Sequence, residues 1–242
     1  MIVRAADEMN RLIGDLLDVT RIEAGRLSVS TGVTSLCSIL DLLEEAHAPA
    51  AREKGITWEV ERPHEPFTLD VDEGRILQAL GNLVGNAIKF TPRGGTVRVD
   101  AARNSDRLRI GVHDSGPGMD STELAHVFDR FWQSGKGDRR GAGLGLTIAR
   151  GIIEAHDGRI RMESEVGAGT TAWVELPLRP GVSIVTAFYV PAAEPVPEDE
   201  LAAHCAARLA HYKCPRAFRA IPSLPRSANG KLMRRQLKES SA

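Results

Sequence analysis

The sequence is poor in cysteine, nearly without net charge and free of long apolar runs, and each shortage removes a class of function. Its three cysteines, Cys37, Cys205 and Cys214, are odd in number, far apart and without a CxxC pair, which argues against both a disulfide framework and a structural zinc site. A formal charge of −1 provides no bulk electrostatic pull toward nucleic acid or an anionic membrane. No apolar stretch is long enough to span a bilayer, and the N-terminus lacks the basic-then-apolar layout of a secretory signal. The expectation is a soluble chain in a reducing cytosol, with neither nucleic acid nor membrane among its partners. At 242 residues it has room for one large domain with appendages or for two domains.

The most informative stretch is QALGNLVGNAIKFT, residues 78–91. As a helix it carries Asn82, Asn86 and Lys89 on one face, with Leu77, Leu80, Val84 and Ala87 on the other. An asparagine oxygen is a hard ligand for Mg²⁺ and a lysine is a point charge for phosphoryl oxygens, so the polar face suits a metal and phosphate, or is merely solvated. Asp72 supplies an N-cap carboxylate in front of it.

Around that helix, residues 1–27 repeat apolar side chains on a heptad: Ile2, Met9 and Leu16 at one position, Ala5, Leu12 and Val19 at the other, broadened by Ile13 and Leu17. Such a seam pairs with another copy, with further helices, or with the core of its own domain; Gly25 ends it. Residues 36–53 predict an amphipathic helix interrupted near Pro49. Short strands follow at 56–61 and 67–71, with Pro63 and Pro66 in the turn between them. Alternating runs at 96–101 and 107–113 predict a hairpin, and a strand pair is expected at 159–164 and 170–176.

Two glycine boxes carry the chemistry. Asp114-Ser-Gly-Pro-Gly-Met119 puts a carboxylate at a strand end before two glycines, which would suit a purine: the carboxylate accepts from an exocyclic amine while backbone without Cβ atoms approaches the ring. A tight turn is the alternative. GAGLGL at 141–146 opens an apolar helix over 144–155, where freed N–H groups and the helix dipole favour an anion. Between the boxes lie Phe128, Phe131 and a Gly-rich, basic segment, 134–140, with the composition of a mobile lid. Neither a P-loop nor a dinucleotide fingerprint is present.

Polar helix face, Asp-Gly-Gly box, aromatic box and second glycine box occur in the order that resembles the ATP-binding domain of sensor histidine kinases, within the superfamily shared with gyrase and heat-shock chaperones. The resemblance runs from about residue 1 to Leu178 and implies a two-layer α/β sandwich preceded by a dimerisation helix. It implies ATP and Mg²⁺ as cofactors, with Asn86 as the metal ligand, Asn82 beside it and Lys89 at phosphate. Asp114 is similar to the adenine-reading aspartate, Gly116 and Gly118 shape the pocket, Phe128 and Phe131 match the aromatic box, and Gly141, Gly143, Leu144 and Gly145 match the box at the phosphates. Thr171 resembles a position beside the adenine. Residues 1–27, ending Arg21-Ile-Glu-Ala-Gly25, look like the second helix of a dimerisation hairpin, which implies a homodimer and a response regulator as partners. The family's acceptor histidine lies on the first helix of that hairpin. No histidine precedes His47 here, so the acceptor helix is expected to act in trans and the chain to be inactive in cis. A non-catalytic nucleotide-binding or interaction module is the alternative.

After Pro180 the character changes: residues 181–242 hold nine Lys/Arg against five Asp/Glu, while residues 1–180 hold 22 against 27. A strand at 183–190, a helix at 198–210 and a strand at 217–221 are expected. The segment is similar to the end of the C-terminal domain of adenylate-forming enzymes such as acyl-CoA synthetases. Lys231 would match the lysine that neutralises charge during adenylation, but nothing in the sequence matches the large domain it serves, so an inert ligase fragment is expected. The organisation is thus 1–27 dimerisation helix, 28–180 ATP-binding domain and 181–242 small α/β fragment.

Overall fold

The pattern of the sequence is realised in the computed structural model as α1 (Ile2–Glu23), β1 (Gly32–Ser35), α2 (Leu36–Lys54), β2 (Thr57–Glu61), β3 (Thr68–Val71), α3 (Glu73–Phe90), β4 (Thr96–Asn104), β5 (Arg107–Asp114), α4 (Ser121–His126), α5 (Gly145–Ala155), β6 (Arg159–Glu165) and β7 (Gly169–Pro177), followed by β8 (Thr186–Tyr189), α6 (Glu198–Ala206) and β9 (Ala217–Ala220). It describes residues 2–63, 67–133, 142–178, 186–191, 196–208, 215 and 217–225. Gly141, Lys231 and the segment 134–140 lie outside the described residues. The chain divides into two compact units, Met1–Pro180 and Gly181–Ala242.

In the first unit a five-stranded sheet of order β2-β4-β5-β7-β6 is covered on one face by α2, α3 and α5. This is the expected two-layer α/β sandwich. Alternation explains it: Val97 and Val99 of β4, Leu108, Ile110 and Val112 of β5, and Val174 and Leu176 of β7 point to the helices and are buried, while their neighbours point to solvent. The helices bury Leu36, Ile39, Leu40 and Leu43 from α2, Ile76, Leu80, Leu83 and Val84 from α3, and Ile148, Ile152 and Ile153 from α5. Fully burying each such side chain contributes about 1.5–3 kcal/mol, so this one layer of contact dominates the stability of the unit.

One expectation is corrected. Pro49 does not interrupt α2, which runs unbroken through it; proline removes one N–H, and at this exposed position the packing of Leu43 and Ala51 on either side outweighs that loss. The two strands expected around Pro63 are both present, in different sheets. β2 joins β4 in parallel at the edge of the main sheet, whereas β3 pairs antiparallel with β1 in a separate ribbon. The α1 seam is also divided. Val19 is buried in the core, while Met9, Ile13, Leu16 and Leu17 are 50–63% exposed, so the end of the helix lies against the domain and these four side chains do not.

In the second unit β8 and β9 pair in parallel, Tyr189 Oη donates to the Val196 carbonyl at 3.2 Å, and α6 follows Pro197. None of the described residues of this unit is buried. A two-stranded pair with no buried side chain among those described is marginal in water, so the amides of Ala187–Tyr189 should exchange with solvent deuterium at least a hundredfold faster, a factor on the order of 3 kcal/mol, than those of Leu108–Val112. Equal protection measured by hydrogen-exchange mass spectrometry would overturn this.

Candidate functional site

Asp72 organises the start of α3. Its Oδ1 accepts from the Arg75 N–H at 3.1 Å, as an N-cap should, and its Oδ2 accepts from the Ser30 N–H at 2.9 Å. Burial alone would raise the carboxyl pKa, but these two N–H donors, with His156 and Arg75 nearby, hold it below the usual carboxylate value. The Asp72 N–H in turn donates to His156 Nε2 at 3.0 Å, and His156 Nδ1 lies 2.8 Å from the Ile152 carbonyl. That fixes the buried imidazole as the Nδ1–H tautomer and ties α3 to the end of α5.

With its apolar face packed on the sheet, α3 presents Asn82, Asn86 and Lys89 along the other face, all partly buried. Asn82 faces α5, since a Cβ on Gly145 would stand 3.4 Å from both its Cγ and Oδ1. Its Nδ2 is buried with no hydrogen-bond partner, a donor desolvated at a cost of about 1–3 kcal/mol unless something else receives it. Lys89 Nζ lies 4.8 Å from the centre of the Phe90 ring.

The far end of α3 meets the first glycine box: a Cβ on Gly116 would fall 3.3 Å from the Phe90 carbonyl oxygen and 2.7 Å from Asp114 Oδ1. Asp114 closes β5 on the helix side of the sheet, with Val97 and Thr170 as its register partners. Burial pushes its carboxyl pKa up, opposed in part by the N–H groups of Gly116, at 2.8 Å, and Thr170 and by the neighbouring His113. The corner is built backbone against backbone. Gly118, at φ +67°, packs on the Glu165 carbonyl, and Gly169, at φ +105°, on the carbonyl of Asp114, with no room for a Cβ at either.

Thr171 pairs with His113 and not with Asp114, and its Oγ1 lies 3.1 Å from His113 Nδ1 on the opposite face of the sheet, where His113 Nε2 also meets Asp100 Oδ2 at 2.6 Å. The residue that shares a face with Asp114 is Thr170. In a Thr-Thr pair only the register through β5 and β7 decides which hydroxyl faces inward, and no local signal in the sequence carries that register.

The second glycine box starts α5. Leu144 sits at its N-cap without a side-chain hydrogen bond, and its own side chain is buried in the core, so Leu144 packs and any ligand contact falls to backbone. The N-cap residue therefore offers the first N–H groups of the helix no side-chain acceptor, an arrangement that favours an anion. Gly143 approaches Trp132 so closely that a Cβ would lie 2.7 Å from its carbonyl oxygen. Phe131 donates its N–H to the Gly143 carbonyl at 3.0 Å, and Thr147 Oγ1 donates to the Phe128 carbonyl at 2.9 Å. Phe128, Phe131 and Thr147 line one pocket with Asp129 and Arg130. The structure thus joins the aromatic box to the second glycine box, that box to Asn82, and the far end of α3 to the Asp114 corner.

This donor set fits a purine nucleotide: a half-shielded carboxylate beside Cβ-free backbone at the C-terminal end of α3, and an orphaned amide facing the N-terminus of α5 near the middle of α3. Among the described residues no group of three His, Cys, Asp or Glu is placed to hold a metal ion. A cation here would combine an amide oxygen of α3 with phosphate oxygens, the ligand habit of Mg²⁺.

Comparison with known proteins agrees with that chemistry. Residues 71–180 match the family described as histidine kinase-, DNA gyrase B- and HSP90-like ATPase, and residues 173–231 match, more weakly, the C-terminal domain of AMP-binding enzymes. Over 173 residues, 72% of this chain, it is 36% identical to the sensor protein DivL of Caulobacter vibrioides, and over 71% of its length it is 33% identical to the adaptive-response sensory kinase SasA of a Synechococcus strain. The chain spans only 22% and 46% of the lengths of those relatives. Among solved structures, full-length ShkA in complex with AMPPNP superposes with a TM-score of 0.66 at 30% identity, covering 78% of this chain and 42% of that one. The catalytic domain of the histidine kinase ThkA superposes at 0.57 and 27% identity, covering 64% of this chain and 99% of that one.

Proposed function

We propose that residues 71–180, which match the histidine kinase-, DNA gyrase B- and HSP90-like ATPases, are a histidine kinase-type ATP-binding domain that binds Mg·ATP and presents its γ-phosphoryl group to an acceptor histidine outside residues 1–242. The observation that carries the reading is a half-buried Asp114 beside the C-terminal end of α3 together with an orphaned Asn82 amide about two turns back along the same helix. Asp114 accepts the exocyclic amine of adenine. Asn86 holds Mg²⁺, which when bound neutralises phosphate charge as phosphoryl transfer requires. Lys89 and the N–H groups at the start of α5 hold phosphate oxygens, and Asn82 gives its unpaired N–H₂ to the same groups. Phe128 and Phe131 shield the nucleotide from water. Positioning and charge neutralisation do the catalysis, so the chain needs no nucleophile of its own.

Several observations support an acceptor outside residues 1–242. No histidine precedes His47, and His113 and His156 are tied into the fold by the bonds given above. Burial lowers the pKa of His47, whose ring lies against Gly81 in the helix layer. The exposed Met9, Ile13, Leu16 and Leu17 on α1 support pairing with a second copy or with a helical hairpin that carries the acceptor, and a response regulator is the onward partner. Residues 181–242, with Lys231, take no part in this reaction and act as an inert fragment of a ligase-type domain.

Calorimetric titration tests the binding half: ATP should bind more tightly with Mg²⁺ than without, and Asn86→Ala should abolish that difference, a change of about tenfold or more, while ADP without metal binds as before. Incubation with γ-labelled ATP tests the transfer half. Acid-labile, base-stable label should be absent from the chain alone and appear on an added hairpin containing an acceptor histidine. Stoichiometric label on the chain alone would overturn the assignment, as would nucleotide binding without transfer to any such hairpin, which is the behaviour of a non-catalytic module.

A further inference from the structure

The last turns of α1 contact three elements at once, and all three frame the proposed nucleotide site. Asp18 is a charged residue with only 8% of its side chain exposed. Its Oδ2 accepts from Arg75 Nη1 at 2.7 Å and from Gln78 Nε2 at 2.8 Å, and Arg75 Nη1 also donates to Gln78 Oε1 at 2.9 Å, closing a triangle at the start of α3. One turn on, Ile22 fills the space over Gly151 of α5, where a Cβ would stand 2.5 Å from Ile22 Cδ1. Next to it Glu23 pairs with Arg130, the residue before Phe131.

The arrangement along α3 gives this contact its meaning. Arg75, Gln78, Asn82, Asn86 and Lys89 fall on one helical stripe, so Asp18 engages one end of the row that carries the candidate metal and phosphate ligands. Ile22 braces α5, whose first residue Gly145 faces Asn82. Glu23 braces the aromatic segment, whose Phe131 is hydrogen-bonded to Gly143. A merely supportive helix end would need only the apolar contact of Val19 and Ile22; a buried carboxylate satisfied by two α3 side chains adds a directional tie that a shift of α1 must break.

We propose that Asp18, with Glu23, is a positioning residue for the nucleotide site: the docked end of α1 sets the mutual placement of α3, α5 and the Phe128–Phe131 segment, so α1 docking and nucleotide binding are energetically coupled. Coupling of this kind is reciprocal. Nucleotide tightens the α1 contact, and loosening α1 weakens nucleotide. The inference rests on the reading of this site as a nucleotide site, and the experiment separates the two.

ADP is titrated into the full chain, Asp18→Asn, Glu23→Gln and the Asp18→Asn/Arg75→Gln pair, with urea unfolding followed on the same samples. Asp18→Asn should weaken ADP binding about tenfold and Glu23→Gln by a smaller factor. With Arg75→Gln titrated as well, the Asp18→Asn/Arg75→Gln pair should cost less than Asp18→Asn and Arg75→Gln combined, because the first already breaks the triangle. Saturating ADP should slow amide exchange across residues 15–23 in the parent and not in Asp18→Asn. If the variants unfold earlier in urea yet bind ADP as the parent does, Asp18 is only structural and the inference fails. Should Asp18→Asn not fold, Glu23→Gln, on exposed side chains, decides alone: unchanged ADP affinity and unchanged protection overturn the coupling. A parent chain that binds no ADP defeats the nucleotide reading itself.

Discussion

Asp114→Ala should lower affinity for ADP and for ATP by the same factor, about a hundredfold, with or without Mg²⁺. The reason is that the carboxylate is read as the acceptor for the adenine amine, which both nucleotides share, and removing it leaves a buried donor on the ligand unpaired at a cost of about 1–3 kcal/mol. Calorimetry on the two nucleotides checks it, and a loss confined to ATP would move Asp114 to the phosphate end of the site. The raised pKa adds a pH signature whose two parts have opposite signs. For stability, a carboxyl with a raised pKa helps the folded state below the ordinary carboxylate value and stops helping as pH rises through its raised value. For binding, the ionised form is the better acceptor, so affinity should climb across that same window. Asp114→Asn, which keeps an acceptor oxygen and cannot ionise, should flatten the binding profile. A profile that stays steep would assign the titration to another group.

Gly169→Ala should be the most damaging single methyl in the first unit. Two costs coincide there: φ of +105° excludes ordinary side chains, and the added Cβ would collide with the Asp114 carbonyl. Separating β7 from β5 at that point should cost more than about 3 kcal/mol in urea unfolding and abolish ADP binding. Gly167→Ala is the matched comparison. Its φ is +84° and nothing lies within 4 Å of its Cβ position, so it should cost about 1 kcal/mol and leave binding intact. Equal losses in the two variants would mean that backbone conformation, and not the close approach, accounts for Gly169.

What the sequence displayed of all this was whatever is local. The polar and apolar faces of α3, the Asp72 cap and the β4–β5 hairpin each follow from residues within a few positions of one another. β1 was not visible because it has four partly or fully exposed residues and exists only by pairing with β3 across the whole of α2 and β2. The error at Pro49 came from applying a local cost where long-range packing decides. That Thr170 and not Thr171 shares a face with Asp114 follows from a register set between strands. The Asp18 triangle was hidden because an aspartate on the polar side of an amphipathic helix has the look of a solvated residue until Arg75 and Gln78 are brought to it.

The strand order of the main sheet also fixes when the site comes into being during synthesis. Asp114 belongs to a hairpin closed by the tight turn at Ser105 and Asp106, a contact formed on the microsecond scale. The strand that seals its other side, β7, is made only after α4, α5 and β6. At about 5–20 residues per second, a nascent chain holds the β5 edge open for several seconds, with paired backbone on one side and none on the other. A chain halted before Gly169 would carry the hairpin and the capped α3 but no purine corner, so nucleotide capacity is gained in a single late event, when β7 docks.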